Sequence, residues 1–145
     1  MYLVSSCLAG VNCRYNGKNS ENKVIVELVK QGQAFPVCPE QLVGLPTPRP
    51  CCEIVIYESD NKKVISKDGQ DFTKEFVDGA EKTLAIAKVI CIKKAILQSK
   101  SPSCGCGLIY DGEFSGKLIK GNGLTTELLI KNGIEVYTEN DLDKL

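Results

Sequence analysis

With 145 residues, 43% hydrophobic and 25% charged, the chain has the size and make-up of a single globular domain that can build its own core. Its 18 basic and 18 acidic side chains cancel, which argues against a bulk basic surface for nucleic acid or an anionic membrane. No run approaches the ~20 apolar residues of a membrane span, and Met1–Cys7 lacks the basic and long apolar regions of an export signal, so the chain reads as cytoplasmic.

The first predicted element is a buried strand over Tyr2–Ser6, entering a loop at Cys7 and Ala9–Gly10. After the polar segment Asn12–Asn19, a helix is expected to start near Ser20, a good capping residue. Its apolar stripe is Val24, Ile25, Leu28 and Val29, and Gly32 ends it. Ala34–Val37 reads as a second strand that delivers Cys38-Pro39-Glu40. Leu42–Pro50, with three prolines and a glycine, is a shaped loop. Glu53–Tyr57 and Lys63–Ser66 flank Ser59-Asp60-Asn61 as a hairpin.

The clearest helix runs from about Thr73 to Ile90, where Phe76, Val77, Ala80, Thr83, Leu84 and Ala87 keep the 3.6-residue period. Lys94–Leu97 is a third core strand, followed by a loop from Ser99 to Gly107. Leu108–Ile119 contains two turn signals. Thr125 is expected to cap a last helix, with Leu124 and Leu129 at staple positions. Gly133 ends that helix, and Ile134–Tyr137 closes the chain as a strand. Alternation of this kind implies an α/β fold: one three-layer, Rossmann-like domain over 1–145, with a mainly parallel sheet, helices on both faces and hairpin insertions.

The chain has eight cysteines and no histidine. In a reducing compartment such cysteines point to metal or catalysis before disulfides, and the lack of imidazole leaves sulfur and oxygen as ligands. Cys7, Cys38 and Cys104 each follow a predicted core strand, and open α/β sheets bind ligands beyond the carboxyl ends of their strands. Three such thiolates can hold three irons of a cubane and leave the fourth open as a Lewis acid; three buried small hydrophobes fit the same pattern.

Of the remaining cysteines, Cys91 reads as core. Cys51 and Cys52 are neighbours, so at most one faces the site. Cys13 or Cys106 is a conceivable fourth ligand, and a closed four-thiolate site would suggest structural zinc. A thiol redox role for Cys104 and Cys106 is the weakest reading, since C-x-x-C is absent. Glu40 beside Cys38 can carry protons, or is a solvated loop residue. Ser101 and Ser103 can bind substrate or cap a turn. Arg14 and Arg49, the only arginines, can hold an anion or brace the loops.

Taken in order, Ser5-Ser6-Cys7-Leu8-Ala9-Gly10 with Arg14-Tyr15-Asn16-Gly17, Cys38-Pro39-Glu40, Gly44–Pro50, Lys100-Ser101-Pro102-Ser103-Cys104-Gly105 and Tyr110–Gly112 with Phe114–Gly116 resemble a bacterial family, formerly of unknown function, that includes the iron–sulfur-dependent thiouracil desulfidases. The resemblance covers nearly the whole chain. It implies a [4Fe–4S] cluster on Cys7, Cys38 and Cys104, whose open iron takes the thiocarbonyl sulfur, with Glu40 and Ser101 as acid–base and substrate-positioning groups. It also implies a small thiolated pyrimidine, thiouracil or a related compound, as the partner, and non-redox replacement of its sulfur by oxygen. Val43 in place of a common Gly, Cys51-Cys52 in place of Pro-Ala and Asn16 in place of a common Asp depart from the family pattern. The alternative function is a non-enzymatic zinc or iron–sulfur module.

Overall fold

The computed structural model describes residues 1–58 and 61–145; the expected hairpin tip at Ser59-Asp60 lies outside the described residues. In chain order the elements are β1 (Tyr2–Ser5), a 3₁₀ turn (Ser6–Ala9), α1 (Lys23–Lys30), β2 (Ala34–Val37), the one-turn α2 (Pro39–Leu42), β3 (Cys52–Ile56), β4 (Lys62–Ser66) and α3 (Thr73–Val89). Then follow β5 (Lys94–Leu97), β6 (Leu108–Tyr110), β7 (Leu118–Lys120), α4 (Leu124–Lys131), β8 (Glu135–Thr138) and a final 3₁₀ turn (Leu142–Lys144).

Four strands form one parallel sheet in the order β2-β1-β5-β8, with Tyr2 opposite both Ala34 and Lys94, and Lys94 opposite Glu135. Side chains alternate across it as the pleat requires. Leu3, Ala95 and Leu97 pack with Ala87 of α3 and Leu129 of α4, while Val4 and Ile96 pack with Leu8 and Ile25 of α1. Helices thus cover both faces, as the alternating pattern predicts. The chain leaves β1 for β2 on one side and returns through α3 to β5 on the other. The strand order therefore reverses between β1 and β5, the point at which chain connections diverge to opposite faces and open α/β sheets form a crevice beyond the strand ends. The hairpins β3-β4 and β6-β7 are separate two-stranded antiparallel sheets. No helix among the described residues is long and apolar enough to cross a membrane.

Several local expectations are corrected. The side chain that caps α1 belongs to Asn22, which accepts the N–H groups of Val24 (3.0 Å) and Ile25 (3.4 Å). The N–H groups of Ser20 and Asn22 bond the Cys7 and Leu8 carbonyls, each at 2.9 Å, which holds Ser20–Asn22 extended along the turn after β1 and delays the helix to Lys23. Val24 consequently faces solvent, 53% exposed, and Ile25 is the buried anchor. Thr125 lies inside α4 and caps nothing. The Ser103 carbonyl accepts the N–H groups of Thr125 (2.9 Å) and Thr126 (3.3 Å), so a distant loop caps this helix and no staple forms. Cys91 is exposed, in a left-handed turn (φ 57°) just past α3, which turns it away from the core where the sequence reading placed it.

Candidate functional site

Cys7 sits in the turn immediately after β1, Cys38 directly after β2, and Cys104 in the loop after β5. All three are buried and line one cavity of about 630 Å³, together with Glu40, Arg49, Ser101, Gln98 and Glu139. Parallel strands explain the convergence: each carries its cysteine out at the same edge of the sheet.

Each thiol is held by its own local device. The Cys7 carbonyl accepts the N–H groups of Ser20 (2.9 Å) and Gly10 (3.3 Å), and its Sγ donates to Gln98 Oε1 at 3.4 Å. Cys38 precedes α2, where Pro39 opens the helix without sacrificing a bonded N–H. Its Sγ donates to the Cys13 carbonyl at 3.9 Å. Behind α2 stands Gly79 of α3: a Cβ there would lie 2.6 Å from the Pro39 carbonyl oxygen, so only glycine lets the long helix back directly onto this turn. Cys104 donates its N–H to Ser101 Oγ (2.7 Å) and accepts Thr126 Oγ1–H at its carbonyl (2.8 Å). A Cβ at Gly123 would stand 2.4 Å from the Ser103 carbonyl, so α4 presses equally closely on this loop.

Burial, reinforced by Glu40, pushes the Cys104 thiol up to about 12. Cys38 is raised through its hydrogen bond with Cys13 and through burial. For Cys13 the hydrogen bond with Cys38 is the largest influence and lowers the value, yet the bond with Cys7 and burial carry it up to about 11. Cys52 is pushed up to about 12 by burial and by Cys51. The metal-free site is therefore built largely of neutral thiols, and a soft metal entering it must displace protons.

Glu40 Oε2 pairs with Arg49 at 2.9 Å, and the same guanidinium nitrogen donates to the Cys13 carbonyl at 2.9 Å. The second terminal nitrogen, Nη1, donates to Thr47 Oγ1 at 3.1 Å. Arg49 thus ties its own loop to α2 and to the loop that follows β1, as the structural reading of it expects. Glu40 Oε1 is buried without a hydrogen-bond partner among the described residues. An orphaned carboxylate oxygen of this kind costs free energy unless a donor from outside completes it. Glu53, also buried, accepts the N–H groups of Gly112 (2.9 Å) and Phe114 (3.2 Å) and so pins the β6–β7 turn over the cavity.

The structure gathers the five residues singled out from the sequence, Cys7, Cys38, Cys104, Glu40 and Ser101, around this cavity. Of the two conceivable extra thiols, Cys13 lines it and Cys106 does not: Cys106 Sγ donates to the Val136 carbonyl at 3.6 Å. Both Cys51 and Cys52 line it, against the expectation of one at most, because Cys51 precedes β3 and escapes strand alternation. Sequence reasoning missed Gln98 and Glu139. Glu139 accepts Ser99 N–H (2.9 Å), Ser99 Oγ–H (2.7 Å) and Gln98 Nε2–H (3.4 Å), linking the ends of β5 and β8. Their signal was available, since each directly follows a parallel strand as Cys38 does.

The donor set is thiol-rich and suits a soft metal centre. Among the described residues no three Cys, Asp or Glu side chains gather tightly enough to hold one metal ion. The thiols instead stand around a space, an arrangement that fits a polynuclear iron–sulfur group better than a single ion.

Comparison with known proteins agrees with this architecture. The solved structure of TudS, a [4Fe–4S]-dependent thiouracil desulfidase, superposes with a TM-score of 0.90 at 40% identity, covering 99% of this chain and 93% of that one. The uncharacterized protein YbbK of Bacillus subtilis (strain 168) is 44% identical over 150 aligned residues, spanning 100% of this chain and 99% of its own. The 2-thiouracil desulfurase family model matches residues 2–141. A parallel sheet with cysteines at three strand ends, matched over nearly its full length, places this chain in the 2-thiouracil desulfurase family.

Proposed function

We propose that the protein is an iron–sulfur-dependent desulfidase that replaces the sulfur of a thiolated pyrimidine with oxygen, holding a [4Fe–4S] cluster on Cys7, Cys38 and Cys104. The observation that carries this reading is the sharing of one cavity by those three buried thiols and the unpartnered carboxylate oxygen of Glu40. Likeness to TudS supports both the cofactor and the substrate class. Overall, thiocarbonyl and water give carbonyl and hydrogen sulfide, with no net electron transfer.

When bound, the cluster supplies an iron without a protein ligand, a Lewis acid able to polarise a thiocarbonyl. The chain's own residues manage the water. Glu40 Oε1 takes the proton of the attacking water, while Arg49 anchors Oε2 and keeps the carboxylate aimed. Ser101 Oγ accepts the Cys104 N–H, and a hydroxyl that accepts one bond can still donate its own proton toward the substrate. With no histidine in the chain, Glu40 is the proton carrier closest to the ligand thiols in sequence and shares their cavity.

The test is anaerobic reconstitution with iron and sulfide, followed by sulfide release from 2- and 4-thiouracil. Cys7→Ser, Cys38→Ser and Cys104→Ser should each lose most of their iron, whereas Cys91→Ser and Cys106→Ser should keep it. A fully loaded protein that releases no sulfide from any thiolated pyrimidine would reject the substrate class. A colourless protein that takes up zinc in place of a cluster would reject the cofactor and leave a structural metal module.

A further inference from the structure

One buried carboxylate that lines the cavity has no part in the chemistry above. Glu53 belongs to β3 and is 6% exposed. The N–H groups of Gly112 and Phe114 both fall on its Oε1. Its Oε2 accepts no hydrogen bond among the described residues and, unlike Glu40 Oε1, is not sealed in protein; the open space beside Glu53 is the cavity. The turn is built to hold the first oxygen. A Cβ at Gly112 would lie 2.7 Å from the Ile54 carbonyl oxygen, so the turn packs backbone to backbone on β3. Phe114 takes a left-handed backbone (φ 56°) that a non-glycine residue rarely adopts. Glu53 also borders a narrower crevice with Lys100, Pro102 and Tyr110, which sets it beside the loop that carries Ser101 and Cys104. Pinning a turn accounts for one oxygen only. A carboxylate has acceptor sites on both, and a buried one rarely leaves half of them unused.

We infer that Glu53 is a specificity-determining residue whose Oε2 accepts the ring N–H next to the thiocarbonyl of the substrate. This inference rests on the desulfidase reading above. In both 2- and 4-thiouracil the ring nitrogen N3 lies between C2 and C4, so it carries its proton beside the C=S bond in either compound. An ionised carboxylate accepts and cannot donate. It therefore holds the ring in the thione form, with N–H intact and the sulfur bare, and leaves that sulfur to a soft metal. A ring that lacks a proton at N3 meets a negative oxygen with nothing to offer it, and a site built around a hydrogen bond rejects such an analogue. The two cavity carboxylates then divide the work: Glu40 handles water, and Glu53 reads the ring.

The experiment uses the anaerobically reconstituted protein. It reads the binding of uracil, 1-methyluracil and 3-methyluracil by calorimetry, and sulfide release from 4-thiouracil and 3-methyl-4-thiouracil. Wild type should bind 3-methyluracil about 10–10²-fold more weakly than uracil, the worth of a hydrogen bond to a charged acceptor. 1-Methyluracil, equal in bulk but with its N3–H intact, should bind as uracil does. The same preference for N–H over N-methyl should appear in kcat/KM. Glu53→Gln keeps a carbonyl oxygen for Gly112 and Phe114 but turns an NH₂ group toward the ring. It should load normal iron and lose the preference, handling the N–H and N-methyl compounds within severalfold of each other. A Glu53→Gln protein that keeps the wild-type preference would show that bulk alone decides, and one that loses its iron would show a purely structural role; either overturns the proposal. So does a wild type that binds the two methyl compounds alike, and this result decides the matter should Glu53→Gln not fold. These outcomes leave the desulfidase reading standing, whereas a loaded wild type that releases no sulfide from any thiolated pyrimidine removes both.

Discussion

Gly79→Ala tests the brace behind Cys38 and Glu40. In the interior of an ordinary helix this change stabilises by roughly 0.5–1 kcal/mol, because glycine loses more backbone freedom than alanine on folding. Here the new Cβ would meet the Pro39 carbonyl oxygen at 2.6 Å and its carbon at 3.1 Å, backbone atoms that cannot swing aside. Helix α3 and the turn carrying Cys38 must separate, and overpacking of this kind costs roughly 1–3 kcal/mol. The balance is a net loss of about 0–2.5 kcal/mol, in place of the gain that propensity alone gives. Urea denaturation of the metal-free protein should show a lower midpoint with an unchanged slope, while Lys82→Ala, on the exposed side of α3, should stay within about 0.5 kcal/mol. Because Pro39 separates Cys38 from Glu40, iron per chain should fall as well. A Gly79→Ala protein that is more stable than wild type and loads normal iron would show that α2 yields freely and that α3 does not fix the site.

Glu40→Gln keeps shape but loses basicity, so it should retain the cluster and release sulfide ~10²–10⁴-fold more slowly at saturating substrate; Ser101→Ala should likewise stay loaded and lose turnover. Arg49→Ala strands a largely buried carboxylate and should cost about 3–5 kcal/mol in urea denaturation, whereas the Arg49→Ala/Glu40→Gln double variant should lose less than the sum of the two changes. Cluster or metal uptake should tighten as pH rises, since thiols held above their ordinary value must surrender protons, and proton release during reconstitution in weak buffer measures this. The same shifts fix a sign for the metal-free fold: folded-state values above the ordinary thiol value of 9.0 mean stability is full below that pH and is lost as pH rises beyond it, which denaturant midpoints across the alkaline range report.

Strands β2 and β5 were legible to the residue because each is a four-residue, largely apolar run closed by a turn or loop. The three cysteines followed from the same logic, since parallel strands export whatever follows them to one edge. Helix starts were not legible where long-range contacts decide them. Ser20 is a good capping type, but backbone bonds to Cys7 and Leu8 keep the chain extended through Asn22, and α4 is capped by a carbonyl 22 positions before Thr125, a bond with no side-chain signature. Gln98 and Glu139 stood at strand ends in plain view, but a polar residue there gains meaning only when its partners are known. That Cys13 lines the cavity was not legible, because the neighbours that set its place, Cys7 and Cys38, follow two different strands.

The bond from Cys7 to Gln98 spans 91 positions, and the β1–β5 pairing beneath it is equally non-local. On a ribosome, Cys7 and Cys38 emerge long before Cys104 exists, so no partial chain offers all three of the proposed ligands. A C-x-x-C knuckle can seize metal while its domain is still being made; this site cannot. The sheet must first close on its own, through pairings that are slow to form because they join distant segments. On the ligand set proposed above, cofactor loading therefore follows closure of the sheet. Variants that slow folding should therefore show up first as a shortage of cofactor.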